Sequence, residues 1–146
     1  MKLTSRGDYG LRALVDLANR YRSKEPVQVR DIARRQDIPE DYLGQLMVAL
    51  RKSGLVDSTR GPRGGYTLAR SPGEITLGEA LRALEGQAVS LDCLESAGAA
   101  KCTKAVNCGI RSAWMDVAEA AESVLRKITL EDICQRQRKE ALMYYI

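Results

Sequence analysis

Cys93, Cys102 and Cys108 fall within sixteen residues of one another and form the chain's densest group of soft donor side chains. Their spacing, Cys-x8-Cys-x5-Cys, is too wide for an ordinary zinc knuckle, which pairs cysteines two to four residues apart. Thiolates grouped on a loop suit an iron–sulfur cluster, which spans wider gaps; they also suit a thiol switch that forms a reversible disulfide, or unliganded thiols. Cys134 stands apart, beside Ile133 at a spacing that suits packing, and is expected to be a buried core thiol. Histidine is absent, which removes His-based triads, imidazole acid–base chemistry and His-ligated zinc. The chain has no nucleophile elbow, no GxxxxGK and no GxGxxG after a strand, so an enzyme is not expected.

A second chemistry belongs to the arginines of residues 39–70, PEDYLGQLMVALRKSGLVDSTRGPRGGYTLAR. Tyr42, Leu43, Leu46, Met47 and Leu50 fall on one helical face, and Gly54 suits the stop of that helix. Two short strands are expected from Leu55 to Arg60 and from Tyr66 to Ala69, joined by Gly61-Pro62-Arg63-Gly64-Gly65, whose glycines fit a turn with positive φ. A helix followed by a Gly/Arg-rich hairpin has the order of a recognition helix and a β-wing. The bland reading is a structural turn with solvated arginines.

The elements that must position these groups are mostly helical. Ser5 is a plausible N-cap for a first helix with Tyr9, Ala13, Leu14, Leu17, Ala18 and Tyr21 on one face. Pro26 breaks it, and a short second helix puts Ile32 and Ala33 inward and Arg30, Arg34 and Arg35 outward. Asp37-Ile38-Pro39 is a tight connection to the third helix, with Pro39 at its opening, which makes a helix-turn-helix. Thr76 and Glu79 form a capping box for a fourth helix with Leu77, Ala80, Leu81 and Leu84 inward. Residues 86–109 lack a clear period and read as a loop. A long helix follows, with Ile110, Trp114, Val117, Ala118, Ala121, Val124, Leu125 and Ile128 at spacings of threes and fours. Thr129 caps a last helix, with Ile128 and Ile133 placed as a hydrophobic staple. The long helix either buries its stripe against its own domain or serves as a dimerisation helix, the reading preferred here.

The fold class expected is therefore mainly α with a small β-wing: a winged helix-turn-helix plus a long dimerisation helix. The organisation expected is a DNA-binding domain over residues 1–85, a cysteine-containing loop over 86–109, and dimerisation and C-terminal helices over 110–146. Of 146 residues, 45% are hydrophobic and 29% charged, ordinary values for a globular protein. Residues 1–70 carry 14 Lys/Arg against 8 Asp/Glu, a net +6, whereas residues 71–146 carry 9 against 11, a net −2. That asymmetry fits a polyanion at one end. No apolar run reaches the ~20 residues that span a bilayer, and the N-terminus does not read as a signal peptide. A cytoplasmic location, where thiols stay reduced, is expected, with no membrane partner.

LTSRGDYGLRAL at the start, YLGQLMVALRKSGLV in the third helix, RGPRGGYTLAR in the wing and ITLGEALRALEG after it closely resemble Rrf2-family transcriptional regulators, above all the iron–sulfur-sensing members. The likeness runs from Met1 to about Leu130. It implies a homodimer on a pseudo-palindromic double-stranded DNA operator, with a cysteine loop at the N-terminal end of a long crossed dimerisation helix. Carried over by position, Tyr42 and Gln45 fall where the recognition helix meets DNA, and Arg60 where the wing enters the minor groove. Gln pairs well with adenine, and Arg suits a narrow, electronegative minor groove. Tyr42 has a second reading, as a core residue with its hydroxyl on a phosphate. Arg51, Lys52 and Arg63 are candidates for phosphate contacts. Gly44 departs from members that carry a base-discriminating Glu there, so operator preference is expected to differ or relax.

The resemblance also implies that Cys93, Cys102 and Cys108 hold an iron–sulfur cluster, [2Fe-2S] or [4Fe-4S], with one ligand supplied from elsewhere. Where one branch places a His, this chain has Arg111, which cannot coordinate. Another branch uses an Asp near the N-terminus of the partner subunit, and Asp8 stands in that position. Asp8 equally suits a helix start, where its charge offsets the macrodipole; Asp92, Glu95 and Ser112 are lesser candidates. Some members take their signal from a bound regulatory protein partner instead, and such a protein needs no grouped cysteines.

Overall fold

The computed structural model describes residues 2–87 and 108–145; Cys93, Cys102 and most of the expected loop lie outside the described residues. In chain order the elements are α1 (Ser5–Asn19), α2 (Val29–Gln36), α3 (Glu40–Lys52), β1 (Val56–Thr59), β2 (Gly65–Leu68), α4 (Leu77–Glu85), α5 (Gly109–Lys127) and α6 (Leu130–Tyr144). Short 3-10 turns follow α1 at Tyr21–Ser23 and precede α4 at Pro72–Glu74. The fold is mainly α with a two-stranded wing, as the sequence predicts.

One core joins α1–α4 and the wing to the start of α6. Leu14 and Leu17 of α1, Ile32 of α2, Leu43, Leu46, Met47 and Leu50 of α3, and Leu84 of α4 pack in a cluster that also contains Leu130 and Cys134 of α6. Burial raises the Cys134 thiol above its ordinary pKa, which fits an inert packing role. Leu77 and Leu81 of α4 are only half-buried, so its inward face is carried by Ala80 and Leu84.

Thr4, not Ser5, caps α1: its hydroxyl oxygen accepts from the Gly7 N–H at 3.4 Å. The same helix start is gripped by Glu85, the last residue of α4, which accepts from the N–H groups of Thr4 (2.9 Å) and Gly7 (3.1 Å) and from the Thr4 hydroxyl. The Thr4 hydroxyl, followed by these amides, holds the Glu85 carboxyl below its usual pKa. The approach is close because Gly10 has no side chain; a Cβ there would collide with the Leu84 side chain. Tyr21 lies beyond the end of α1 in the 3-10 turn and is exposed, since the helix stops two residues earlier than its apolar pattern.

Arg35 is not simply outward, as its spacing suggested. Asp16 of α1, 5% exposed, draws it in: Arg35 donates from Nε (3.0 Å) and Nη2 (2.6 Å), and Gln36 adds a third bond at 3.2 Å. Burial works against the Asp16 charge, but the Arg35 and Gln36 hydrogen bonds and the Arg35 and Arg20 charges prevail, so its pKa is lowered. This network fixes α2 on α1. Asp37 then takes a left-handed φ of 53°, and Pro39 is the N-cap of α3 rather than its first helical residue.

The first strand is one residue shorter at each end than expected and the second starts and ends one residue earlier, with Val56 opposite Leu68 and Thr59 opposite Gly65. Arg60 therefore belongs to the wing tip. Tyr66 also exchanges backbone hydrogen bonds with Val27 (2.9 and 2.8 Å), so the segment before α2 supports the hairpin. A Cβ at Gly64 or Gly65 would strike the backbone of Thr59 or Val27, so these glycines allow three chain segments to meet.

Two capping boxes lie back to back beyond the wing. Thr76 and Glu79 open α4, Thr129 and Asp132 open α6, and each Thr N–H reaches its carboxylate at 2.9 Å. The segments are joined by Leu77 N–H to Ile128 C=O (2.8 Å) and Leu130 N–H to Ile75 C=O (3.0 Å). α5 packs on α4 near Gly78 and Leu125, and Arg82 pairs with Glu122 at 3.2 Å. Much of its apolar stripe is open, with Ile110 79% exposed, Val117 48% and Val124 55%, while Trp114, Ala118, Ala121 and Ile128 are half-buried.

Candidate nucleic-acid interface and the cysteine end of α5

The buried stripe of α3 leaves a definite outer face. Asp41, Gln45, Val48, Arg51 and Lys52 are exposed along it, and Gly44 lies among them with open space where a Cβ would be. Arg51 donates to the Ser58 hydroxyl of β1 at 3.0 Å, which links the end of α3 to the wing while the arginine stays exposed. Basic Arg51 and Lys52 complete the last turn of α3, and acidic Glu40 and Asp41 stand in its first. Both arrangements favour the helix dipole whatever else the residues do.

Tyr42 is partly buried against the core, with its ring edge-on to Tyr9 at a centroid distance of 6.0 Å. The second reading of this residue, as a core aromatic, thus matches its ring. Arg60 and Arg63 are exposed in the wing tip, where Gly64 N–H closes a turn onto the Gly61 carbonyl at 2.9 Å. The tip is also held by Gln28, whose side-chain amide donates to the Pro62 carbonyl at 3.2 Å. Gln45, Arg51 and Lys52 are thus collected on one helix face, and Arg60 and Arg63 on the adjoining hairpin tip.

Two residues of this surface escaped the sequence pattern. Val48 is 46% exposed on the outer face of α3; its signal was that it falls off the Leu43–Leu46–Met47–Leu50 stripe. Gln28 could be recognised only once the fold brought it to the wing, because 34 residues separate it from Pro62.

Cys108 is the N-cap residue of α5, a free, half-buried thiol. Its position and soft donor chemistry fit a ligand at the start of that helix. Asp8 lies in the first turn of α1, partly exposed, and pairs with Arg12 at 3.0 Å. Asp8 and Arg12 border a cavity of about 210 Å³ between α1 and α6. Asp8 is therefore an accessible carboxylate whose present partner is a solvated arginine. Among the described residues, no group of three His, Cys, Asp or Glu side chains is arranged to hold a metal ion. No described helix is long and apolar enough to cross a membrane.

The family model for Rrf2, described as an iron-dependent transcriptional regulator, matches residues 3–136. The chain is 36% identical to the HTH-type transcriptional regulator CymR of Bacillus subtilis over the whole of both sequences. A solved structure of that protein, described as the global cysteine regulator, superposes with a TM-score of 0.75 over 93% of this chain and 98% of that one. The HTH-type transcriptional regulator IscR of Xenorhabdus nematophila is 39% identical over 94% of this chain and 81% of its own length. The structure of T. potens IscR matches with a TM-score of 0.75 at 38% identity, covering 99% of this chain and 97% of that chain. These relatives are DNA-binding transcriptional regulators and not enzymes, in keeping with the missing histidine and nucleotide motifs. The chain belongs to the Rrf2 family of transcriptional regulators.

Proposed function

We propose that this protein is a homodimeric regulator whose operator binding is controlled by an iron–sulfur cluster on its cysteine loop. In this reading residues 1–85 are the DNA-binding head, 86–109 the sensor loop, and 110–146 the dimerisation and C-terminal helices. Gln45, with Val48 beside it, reads base edges in the major groove, the valine offering an apolar contact to a thymine methyl. Arg60 enters the minor groove, Arg51, Lys52 and Arg63 hold phosphates, and the Tyr42 hydroxyl reaches the backbone from a ring braced by Tyr9.

Cys93, Cys102 and Cys108 would hold the cluster, with Asp8 of the other protomer as fourth ligand. When bound, such a cluster supplies a redox- and nitric-oxide-reactive centre. The carboxylate would be a hard donor for iron, and in this structure it pairs with Arg12 at 3.0 Å. The observation that carries this reading is Cys108 at the N-cap of α5. Ligation there acts at the start of the helix whose exposed stripe would join two protomers. Twin heads must match half-sites about one helical turn apart, roughly 34 Å, so a small shift of α5 costs affinity.

The test is an absorption spectrum with iron and sulfide assays on anaerobically purified protein. Visible charge-transfer bands with matching iron and sulfide are expected, and Asp8→Ala should alter them. A colourless, iron-free protein that cannot be reconstituted would contradict the proposal. The full-length likeness to CymR favours one second reading, control by thiol oxidation or by a bound protein partner. Under that reading Cys102→Ala would either remove redox control without iron loss or leave DNA binding unchanged in every redox condition.

A further inference from the structure

Beside the wing lies an open groove of about 960 Å³. Its walls are the 3-10 turn after α1, the start of α2 and the wing tip, and five arginines line it: Arg20, Arg22, Arg30, Arg35 and Arg63. Against them stand two lining carboxylates, Glu25 and Asp31. The arginines differ in what they are free to do. Arg35 and Arg20 are spent on the buried Asp16, at 2.6 and 3.6 Å. Asp31 is engaged by Arg34 at 3.5 Å. Arg22, Arg30 and Arg63 are exposed and have no ion pair among the described residues.

We propose that this groove carries the DNA backbone beyond the wing, with Arg22 and Arg30 as phosphate-binding residues. The inference rests on the DNA-binding reading and extends its footprint to two arginines outside the recognition helix and the hairpin. Arg63 belongs both to the wing tip and to the groove, so a strand seated on the wing is within reach of the other two. Gln28 fixes that geometry by holding the Pro62 carbonyl at 3.2 Å. Asp16 holds Arg35 and Arg20 in place, and two guanidinium groups against one carboxylate leave one net positive charge beside the groove. Clustered, unpaired guanidinium groups on a groove wall match the closely spaced charges of a phosphodiester chain and carry no sequence preference.

The experiment is a salt titration of binding to a random-sequence duplex of about forty base pairs, long enough for two half-sites a turn apart. The proteins are wild type, Arg22→Gln/Arg30→Gln, Arg60→Gln and Glu25→Gln. Each phosphate contact contributes roughly 0.9 to the slope of log affinity against log salt, so the double variant should flatten it by about 1.8 for each head bound. Affinity at low salt should fall roughly tenfold, with thermal stability unchanged because both side chains are exposed. Glu25→Gln should act in the opposite direction and tighten binding a few-fold. A double variant with the wild-type slope, while Arg60→Gln flattens it, would overturn the groove and leave the DNA reading standing. Absence of salt-dependent binding by wild type and Arg60→Gln alike would overturn the DNA reading, and the groove with it.

Discussion

The head completes itself within one chain, whereas α5 does not. In the head every large aliphatic side chain of α3 except Val48 is buried, the buried Asp16 carboxylate is fully engaged, and α1 is gripped at its start by a residue from α4. On α5 only Leu125 is buried, while Ile110, Val117 and Val124 lie open along an apolar stripe with heptad-like spacing. The contrast teaches where a partner is needed. A solvated row of aliphatic residues on a two-face amphipathic helix is a surface waiting for its complement. The head presents instead a polar, basic surface that needs no covering.

The largest effect should come from charging the α5 stripe. If the proposed dimer forms through this stripe, Val117→Asp/Val124→Asp should yield monomers in sedimentation equilibrium and abolish tight operator binding while the head stays folded. A dimeric double variant would break the comparison. Next, Asp16→Ala removes the acceptor shared by Arg35 and Gln36 and should destabilise the head by about 1–3 kcal/mol in chemical denaturation, because the arginine left behind is solvent-exposed. The sign with pH follows from the lowered Asp16 pKa. Its stabilising contribution is present above the ordinary carboxylate value and is lost as pH falls through the lower folded value. The stability gap between wild type and Asp16→Asn should therefore narrow only in strong acid.

Smaller effects separate the two kinds of glycine. Gly10→Ala drives a methyl into Leu84 and should cost about 1–3 kcal/mol, whereas Gly44→Ala meets no atom and should stabilise by roughly 0.5–1 kcal/mol. Equal effects at the two positions would mean that α4 does not press on α1 as described. At the junction between the regions, Thr129→Ala removes the α6 cap and should cost about 1 kcal/mol in thermal melts.

Much of this was legible in the sequence, because the signals were local. The 3-4 spacing of Leu43, Leu46, Met47 and Leu50, the Thr76–Glu79 box and the glycines around Pro62 each act over a few residues. Long-range partners were not legible. Nothing in the pattern of α2 distinguishes Arg35 from Arg34; only the fold brings Asp16 beneath one of them. The same holds for the cap of α1, where Thr4 and Ser5 are both good N-cap residues and Glu85, distant in sequence, favours Thr4. At the candidate interface, Tyr42, Gln45 and Arg60 are expected from the family resemblance, and Arg51, Lys52 and Arg63 from their charge. The Arg22–Arg30 groove could not, because its walls come from three separated segments.

The most direct measurement is duplex binding by anaerobically purified, iron- and sulfide-containing protein before and after a chelator strips the metal. Each form is tested on sites that it has itself selected from a random pool. Control by the cluster predicts different selected sites, or affinities for a shared site that differ at least about tenfold, a change of roughly 1.4 kcal/mol. Identical sites and identical affinities for the two forms would contradict it.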